Sequence, residues 1–153
     1  MKNRINLFNS LNNAEKNKLP FLLVNYSKFS LSLLQILQES GFISHWHLQT
    51  QSKTKENAKG KNGTELSLSE VSDLSKLKIK VYLRKTTTFS NLYSKPFFKI
   101  TPLSKSSRPI YSSYLNLWKI DRGLSLYILS SPIGLITDRQ ARQYKIGGEL
   151  ICK

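Results

Sequence analysis

The sequence predicts an α+β fold, with an N-terminal α-β-α-β-β unit followed by a mainly β stretch that carries one short helix. Three stretches lead to that reading. Between Ser27, an N-capping residue type, and Gly41, a helix stop, the apolar residues Phe29, Leu33, Leu34, Ile36 and Leu37 recur at helical spacing. Leu77, Ile79, Val81 and Leu83 alternate with Lys78, Lys80, Tyr82 and Arg84, the period of a strand with one core face. Thr137 and Gln140 form a capping-box pair that opens a short helix, and Gly147-Gly148 is expected to close it with positive φ. Leu135-Ile136 before that helix and Leu150-Ile151-Cys152 after it read as short buried strands.

The other elements follow in order. Ile5, Phe8 and Leu11 fall at helical spacing, so the first dozen residues form a helix expected to end among Asn12, Asn13 and Ala14. This start is poor in arginine, lacks a long amphipathic repeat and does not look like a transit peptide. Phe21-Leu22-Leu23-Val24, after Pro20, has the length of a strand. Phe42, Ser44, Trp46 and Leu48 alternate with Ile43, His45 and His47, a strand with two usable faces. No other histidine exists, Cys152 is remote and no acidic cluster lies near, so His45 and His47 read as a polar strand face and no metal is expected.

Residues 49–75 are rich in Ser, Lys, Asn, Thr and Glu and read as a flexible polar insertion whose Lys53, Lys55, Lys59 and Lys61 are solvated. Lys78 and Lys80 admit two readings, a wet strand face or one turned toward RNA. Further on, Phe97, Phe98 and Ile100 suggest a strand and Ile110-Tyr111 another. Leu115, Leu117, Trp118 and Ile120 form an apolar cluster, with Trp118 assigned to core or interdomain packing. Asp121-Arg122-Gly123 is a turn before a strand from Leu124 to Leu129.

At 153 residues with 39% apolar content, the chain makes one or two small domains with a modest core. Its 24 Lys+Arg against 9 Asp+Glu give a formal charge of +15 and drive it toward polyanions, of which nucleic acid leads. The rival, an anionic membrane, finds no long basic amphipathic helix, and no apolar run reaches the ~18 residues of a spanning helix. A single cysteine forms no internal disulfide, and Cys152 reads as a small buried hydrophobe.

Thr137-Asp138-Arg139 with Ala141-Arg142, then Gly147-Gly148-Glu149-Leu150-Ile151-Cys152, resembles the C-terminal signature of the bacterial-type small ribosomal subunit protein eight family. Ser27-Lys28-Phe29, Ile36-Leu37 and Glu39-Ser40-Gly41-Phe42-Ile43 resemble that family's first-domain helix and the strand after it. The resemblance implies two small packed domains, 1–85 with the insertion at about 49–75 and 86–153. It implies a structural constituent of the small subunit that binds the central domain of small-subunit ribosomal RNA beside neighbouring small-subunit proteins, with no cofactor, small-molecule substrate or membrane. An off-ribosome assembly factor or translational regulator using the same fold is the alternative. The chain departs from the family at Ser107-Arg108-Pro109, which lacks the following glycine, at Trp118, usually proline, at Ser125, usually glycine, and at Pro132 and Ile133, which replace a hydroxyl and a usually polar residue.

A-form RNA hides its sequence in a deep groove, so recognition uses shape, phosphates, 2′-hydroxyls and exposed bases. Ser130 and Ser131 suit short-range hydroxyl contacts, and Gly134 allows the loop a close approach. Arg108, Arg139, Arg142 and Lys145 are expected on phosphates, with Arg139 and Arg142 sharing a helix face. Tyr111 is expected to stack on a nucleotide or sugar, and Glu149 to accept from a base amino group or hold a neighbouring arginine. No nucleophile motif, paired carboxylates, phosphate-binding glycine loop or metal-ligand spacing supports an enzyme. Heavy use of Lys, Asn, Ile, Phe, Tyr, Leu and Ser, with the resemblance, suggests an organellar chain, placed in a mitochondrion ahead of a plastid or a bacterial cytoplasm.

Overall fold

The computed structural model describes residues 2–50, 77–84, 97–105, 107–120 and 124–153. The chain opens with helix α1, Lys2–Lys16, which buries Leu7, Phe8, Leu11 and Ala14 along one stripe. It runs past the end expected among residues 12–14, because Asn12 spends its side chain on a distant partner instead of competing with the helix backbone. The stop comes at Lys18, φ 53°, where the Lys18 and Leu19 amides donate back to Glu15 and Ala14 carbonyls at 3.1 and 2.9 Å.

Strand β1, Phe21–Asn25, leads to helix α2, Lys28–Glu39. Ser27 caps α2 by accepting the Ser30 amide at 3.0 Å. At the other end Gly41, φ 79°, lets the Gly41 and Phe42 amides reach the Gln38 and Leu37 carbonyls, both at 2.9 Å. Strands β2, Ile43–Thr50, and β3, Leu77–Leu83, complete an antiparallel sheet in the order β1-β3-β2. Every second residue of β3, from Leu77 to Leu83, is buried as its alternation predicts.

The alternation expected of β2 holds only from His45 onward. A register shift between Ile43 and His45 lets Ile43 be buried beside Phe42, which also packs against the core, and leaves Ser44 exposed. Gln49 and Thr50 belong to β2 instead of opening the insertion, and the remainder of that polar stretch lies outside the described residues.

A second antiparallel sheet, in the order β4-β7-β5-β6, is built from β4 Tyr111–Ser112, β5 Ile128–Ser131, β6 Gly134–Thr137 and β7 Gly148–Cys152. The strand expected at Leu124–Leu129 is displaced. Leu124 is 90% exposed, and pairing begins at Ile128 and continues through Ser130 and Ser131, because ladder partners and not hydropathy define the strand. No strand forms at Phe97–Ile100. That segment is held by α1: Asn12 donates to the Ile100 carbonyl at 2.8 Å and accepts its amide at 2.7 Å, while the buried Glu15 carboxylate accepts the Phe97 amide at 2.8 Å. It then runs beside the end of β7, where Thr101 and Lys153 exchange both backbone hydrogen bonds at 2.8 and 3.0 Å and the Leu103 amide donates to the Ile151 carbonyl at 3.0 Å, on either side of an isolated bridge between Pro102 and Cys152. Leu117 of a 3₁₀ helix, Asn116–Lys119, is buried and Leu115 is exposed, so the expected apolar cluster is split. The Trp118 side chain and Asp121-Arg122-Gly123 fall outside the described residues.

Helix α3, Asp138–Tyr144, has the expected capping box, with Thr137 accepting the Gln140 amide and Gln140 reaching back to the Thr137 amide at 3.0 Å. Its stop is not the expected one. Lys145, φ 56°, supplies the left-handed turn, and neither Gly147 nor Gly148 has positive φ. Those glycines answer a different need: a Cβ on Gly147 would lie 2.7 Å from the Ser112 carbonyl oxygen, and one on Gly148 would collide with the Ser130 carbonyl oxygen.

Leu11, Leu33, Leu34, Ile79 and Val81 pack in one core with Phe98, Ile100, Ile128, Ile151 and Cys152, so both sheets feed it. On the other face of the second sheet, Leu129, Ile136 and Leu150 meet Ala141 of α3. The expected domain boundary at 85/86 lies outside the described residues.

Cys152 is buried, and desolvation pushes its thiol from 9.0 up to about 12. The unfolded chain ionises this thiol from about pH 9 while the folded chain keeps it neutral, so its contribution is complete below pH 9 and is lost as pH rises toward 12. Denaturant titrations of the native chain and Cys152→Ala at pH 8 and pH 10 are expected to show the alanine penalty shrinking by about 1 kcal/mol at the higher pH.

Candidate nucleic-acid interface

The second sheet gathers residues that are far apart in the sequence. Glu149 on β7 pairs with Tyr111 of β4 on one side and Ser130 of β5 on the other, so Tyr111, Glu149 and Ser130 form one row across the strands. Alternation turns their neighbours Leu129 and Leu150 to the opposite face, under α3, and leaves the row outward. Domain-one helix α2 approaches this sheet at β6, and Ile128, Ile151 and Cys152 anchor it to the shared core, so the outward face is covered at one end and open at the other. Tyr111 is 72% exposed.

Within the row, Glu149 Oε1 is buried yet has no hydrogen-bond partner among the described residues. A buried carboxylate oxygen left without a donor costs on the order of 1–3 kcal/mol or more. Of the two partners expected for Glu149, the neighbouring arginine does not reach this oxygen in the free chain.

At the end of β5, the expected hydroxyl loop is a tight hairpin: Ser131 pairs with Gly134, and only Pro132-Ile133 intervene. Ser131 Oγ donates to the Gly134 carbonyl at 2.9 Å, which fixes the rotor and leaves its lone pairs to accept. Gly134 stands at φ 120° with open space where a Cβ would point, so glycine here serves backbone conformation as well as close approach. Ile133, 60% exposed, is the apolar tip.

The basic residues divide. Arg139 is exposed, two positions or about 200° of rotation from the buried Ala141. Arg142 does not share its freedom: it pairs with the buried Asp138 at 2.8 Å, an i,i+4 contact whose spacing is visible in the sequence but was not part of the expected site. Lys145 is exposed at the left-handed stop of α3. Arg108 is exposed and exchanges both backbone hydrogen bonds with Lys105 in a turn, at 3.1 and 3.2 Å, so the turn closes without the family's glycine. Helix α3 packs behind the sheet, so its cations and the Tyr111–Glu149–Ser130 row occupy different faces. His45 and His47 lie against Tyr82, and no three His, Cys, Asp or Glu side chains converge as metal ligands among the described residues. No described helix is long and apolar enough to cross a membrane.

A strongly basic α+β chain with an outward row of aromatic, carboxylate and hydroxyl side chains fits the class of nucleic-acid-binding proteins. Residues 5–153 match the family model described as ribosomal protein S8, and the chain belongs to that family, one of structural, non-enzymatic proteins. It is 32% identical over 146 residues to the small ribosomal subunit protein uS8 of Borrelia garinii subsp. bavariensis, covering 95% of this chain and 91% of that one. Identity to the uS8 protein of Aquifex aeolicus is 29% over 157 residues, covering 95% and 92%. Small ribosomal subunit protein uS8c of Marchantia polymorpha is 30% identical over 150 residues, covering 96% and 92%.

Proposed function

We propose that this chain is a structural constituent of the small ribosomal subunit that binds the central domain of its ribosomal RNA and helps that domain assemble beside neighbouring proteins. The observation that carries the reading is the Tyr111–Glu149–Ser130 row with its unpartnered carboxylate oxygen. Glu149 accepts from a base amino group exposed in an irregular helix, Ser130 and Ser131 meet sugar hydroxyls or base edges, and Tyr111 lays its exposed ring on a nucleotide. The hairpin tip at Gly134 seats this row close to the groove. Arg139, Lys145 and Arg108 neutralise phosphates, and Arg142 reaches a phosphate with its charge already partly offset by Asp138.

Binding to a central-domain RNA fragment across a salt series tests the assignment. Arg139→Ala is expected to lower the log-log salt slope by up to about one unit, since it removes a counterion-releasing contact. Ser130→Ala is expected to cost on the order of 1 kcal/mol at every salt concentration and to leave the slope unchanged. Unchanged affinity in both variants, with circular dichroism confirming the fold, would remove this sheet from the interface.

The chain works on a mitochondrial small subunit; the support is compositional, and the relatives named above are bacterial and chloroplast proteins. An off-ribosome regulator built on the same fold is separated by copurification, because a subunit protein stays with small subunits through a high-salt wash.

A further inference from the structure

We propose that the outer face of the first sheet is a second RNA surface, one that stacks unpaired nucleotides; this rests on the ribosomal reading above and adds a site remote from the second sheet. Register across β1-β3-β2 places Phe21, Tyr82 and His45 in one row and Leu23, Lys80 and His47 in the next. The alternate residues of these strands fill the core, so these six face away from it. The His45 ring stacks on Tyr82 with centroids 4.3 Å apart and planes 18° from parallel, and Phe21 follows at 6.2 Å on the other side. Lys80 Nζ sits 4.4 Å from the Phe21 ring centre and 5.1 Å from that of Tyr82.

A solvated strand face needs none of this. Phe21 and Leu23 stay 42% and 48% exposed, leaving in water apolar surface that burial would favour. Charge chooses the occupant. No Asp or Glu stands on any of the three strands, Lys78 adds a second ammonium one row beyond Lys80, and the whole chain carries +15. A row of rings in line with a fixed ammonium matches consecutive bases joined by a phosphate. Duplex RNA buries its base faces in its own stack, so the fitting partner is an unpaired stretch.

The test uses the full chain and a single-stranded adenosine oligonucleotide of about eight nucleotides, followed by fluorescence anisotropy. The double variant Phe21→Leu/Tyr82→Leu keeps the charge and an apolar side chain at each position but loses two rings; it is expected to bind about tenfold more weakly with an unchanged salt slope. Lys80→Gln, which leaves the rings in place, is expected to lower the slope. Ser130→Ala, acting on the other sheet, is expected to leave oligonucleotide binding unaltered. Oligonucleotide affinity insensitive to both the ring and Lys80 variants would overturn the proposal while leaving the central-domain assignment intact.

Inside the particle, benzoylphenylalanine replacing Phe21 is expected to crosslink to ribosomal RNA. A crosslink to a protein, or none to RNA, would overturn it, whereas failure of the unmodified chain to sediment with small subunits would strike the ribosomal reading itself.

Discussion

Gly148→Ala is expected to lower the unfolding free energy by about 3 kcal/mol, the upper part of the range for overpacking, and the melting temperature by roughly 10 °C. The new methyl group would strike the Ser130 carbonyl oxygen and press on the Ser130 carbonyl carbon, 3.0 Å away. These are backbone atoms of the adjacent strand, and no rotamer change clears them. Alanine recovers only about 0.5–1 kcal/mol of backbone entropy in a strand, too little to offset the clash. Forcing β5 from β7 at this point also breaks the pairing that sets Glu149 beside Ser130, so RNA affinity is expected to fall together with stability. Thermal melts and RNA binding of the same preparation check both parts; a variant as stable as the parent would mean that the strands separate freely at Gly148.

Asn12→Ala is expected to cost about 2–3 kcal/mol, because it leaves both the amide and the carbonyl of the buried Ile100 without their partner. Helix propensity acts the other way, since alanine is better than asparagine inside a helix by up to about 0.7 kcal/mol, and the net loss is therefore a conservative reading of the tie. Asn12→Asp keeps an acceptor for the Ile100 amide and loses the donor to its carbonyl, so it should fall between the two. Equilibrium denaturation of the three chains gives the ordering.

What the sequence makes legible here is whatever local chemistry specifies. Helix α2 is readable because Ser27, the apolar stripe and Gly41 all lie within its own span, and β3 because its alternation is unbroken. The register shift near Ser44 escapes such reading, since a bulge is set by the partner strand and changes the inward face without any change in composition. β5 is misplaced for a related reason: hydropathy favours Leu124–Leu129, whereas the ladder recruits the two serines. Gly147-Gly148 stand out as a required pair, but the requirement is clearance between strands and not a helix stop.

The candidate site divides in the same way. Ser130, Glu149 and Tyr111 are each recognisable through family likeness, but their alignment in one row is a product of pairing between segments far apart in the chain. The Asp138 tie that sets Arg142 apart from Arg139 is an i,i+4 contact inside α3, which helical spacing permits but does not by itself require.

The position of β7 bears on how the protein is made. The last strand along the chain lies between β4 and β5, so a nascent chain that stops before Gly148 holds the β5–β6 hairpin and a detached β4 with nothing to join them. It also lacks Ile151 and Cys152 from the common core and Leu150 from beneath α3, leaving the apolar faces of Ile128 and Leu129 uncovered. Long-range pairing of this kind forms late, and exposed strand edges invite aggregation until it does. A copy that lacks β7 therefore presents sticky, unpaired strands for clearance instead of a nearly native surface.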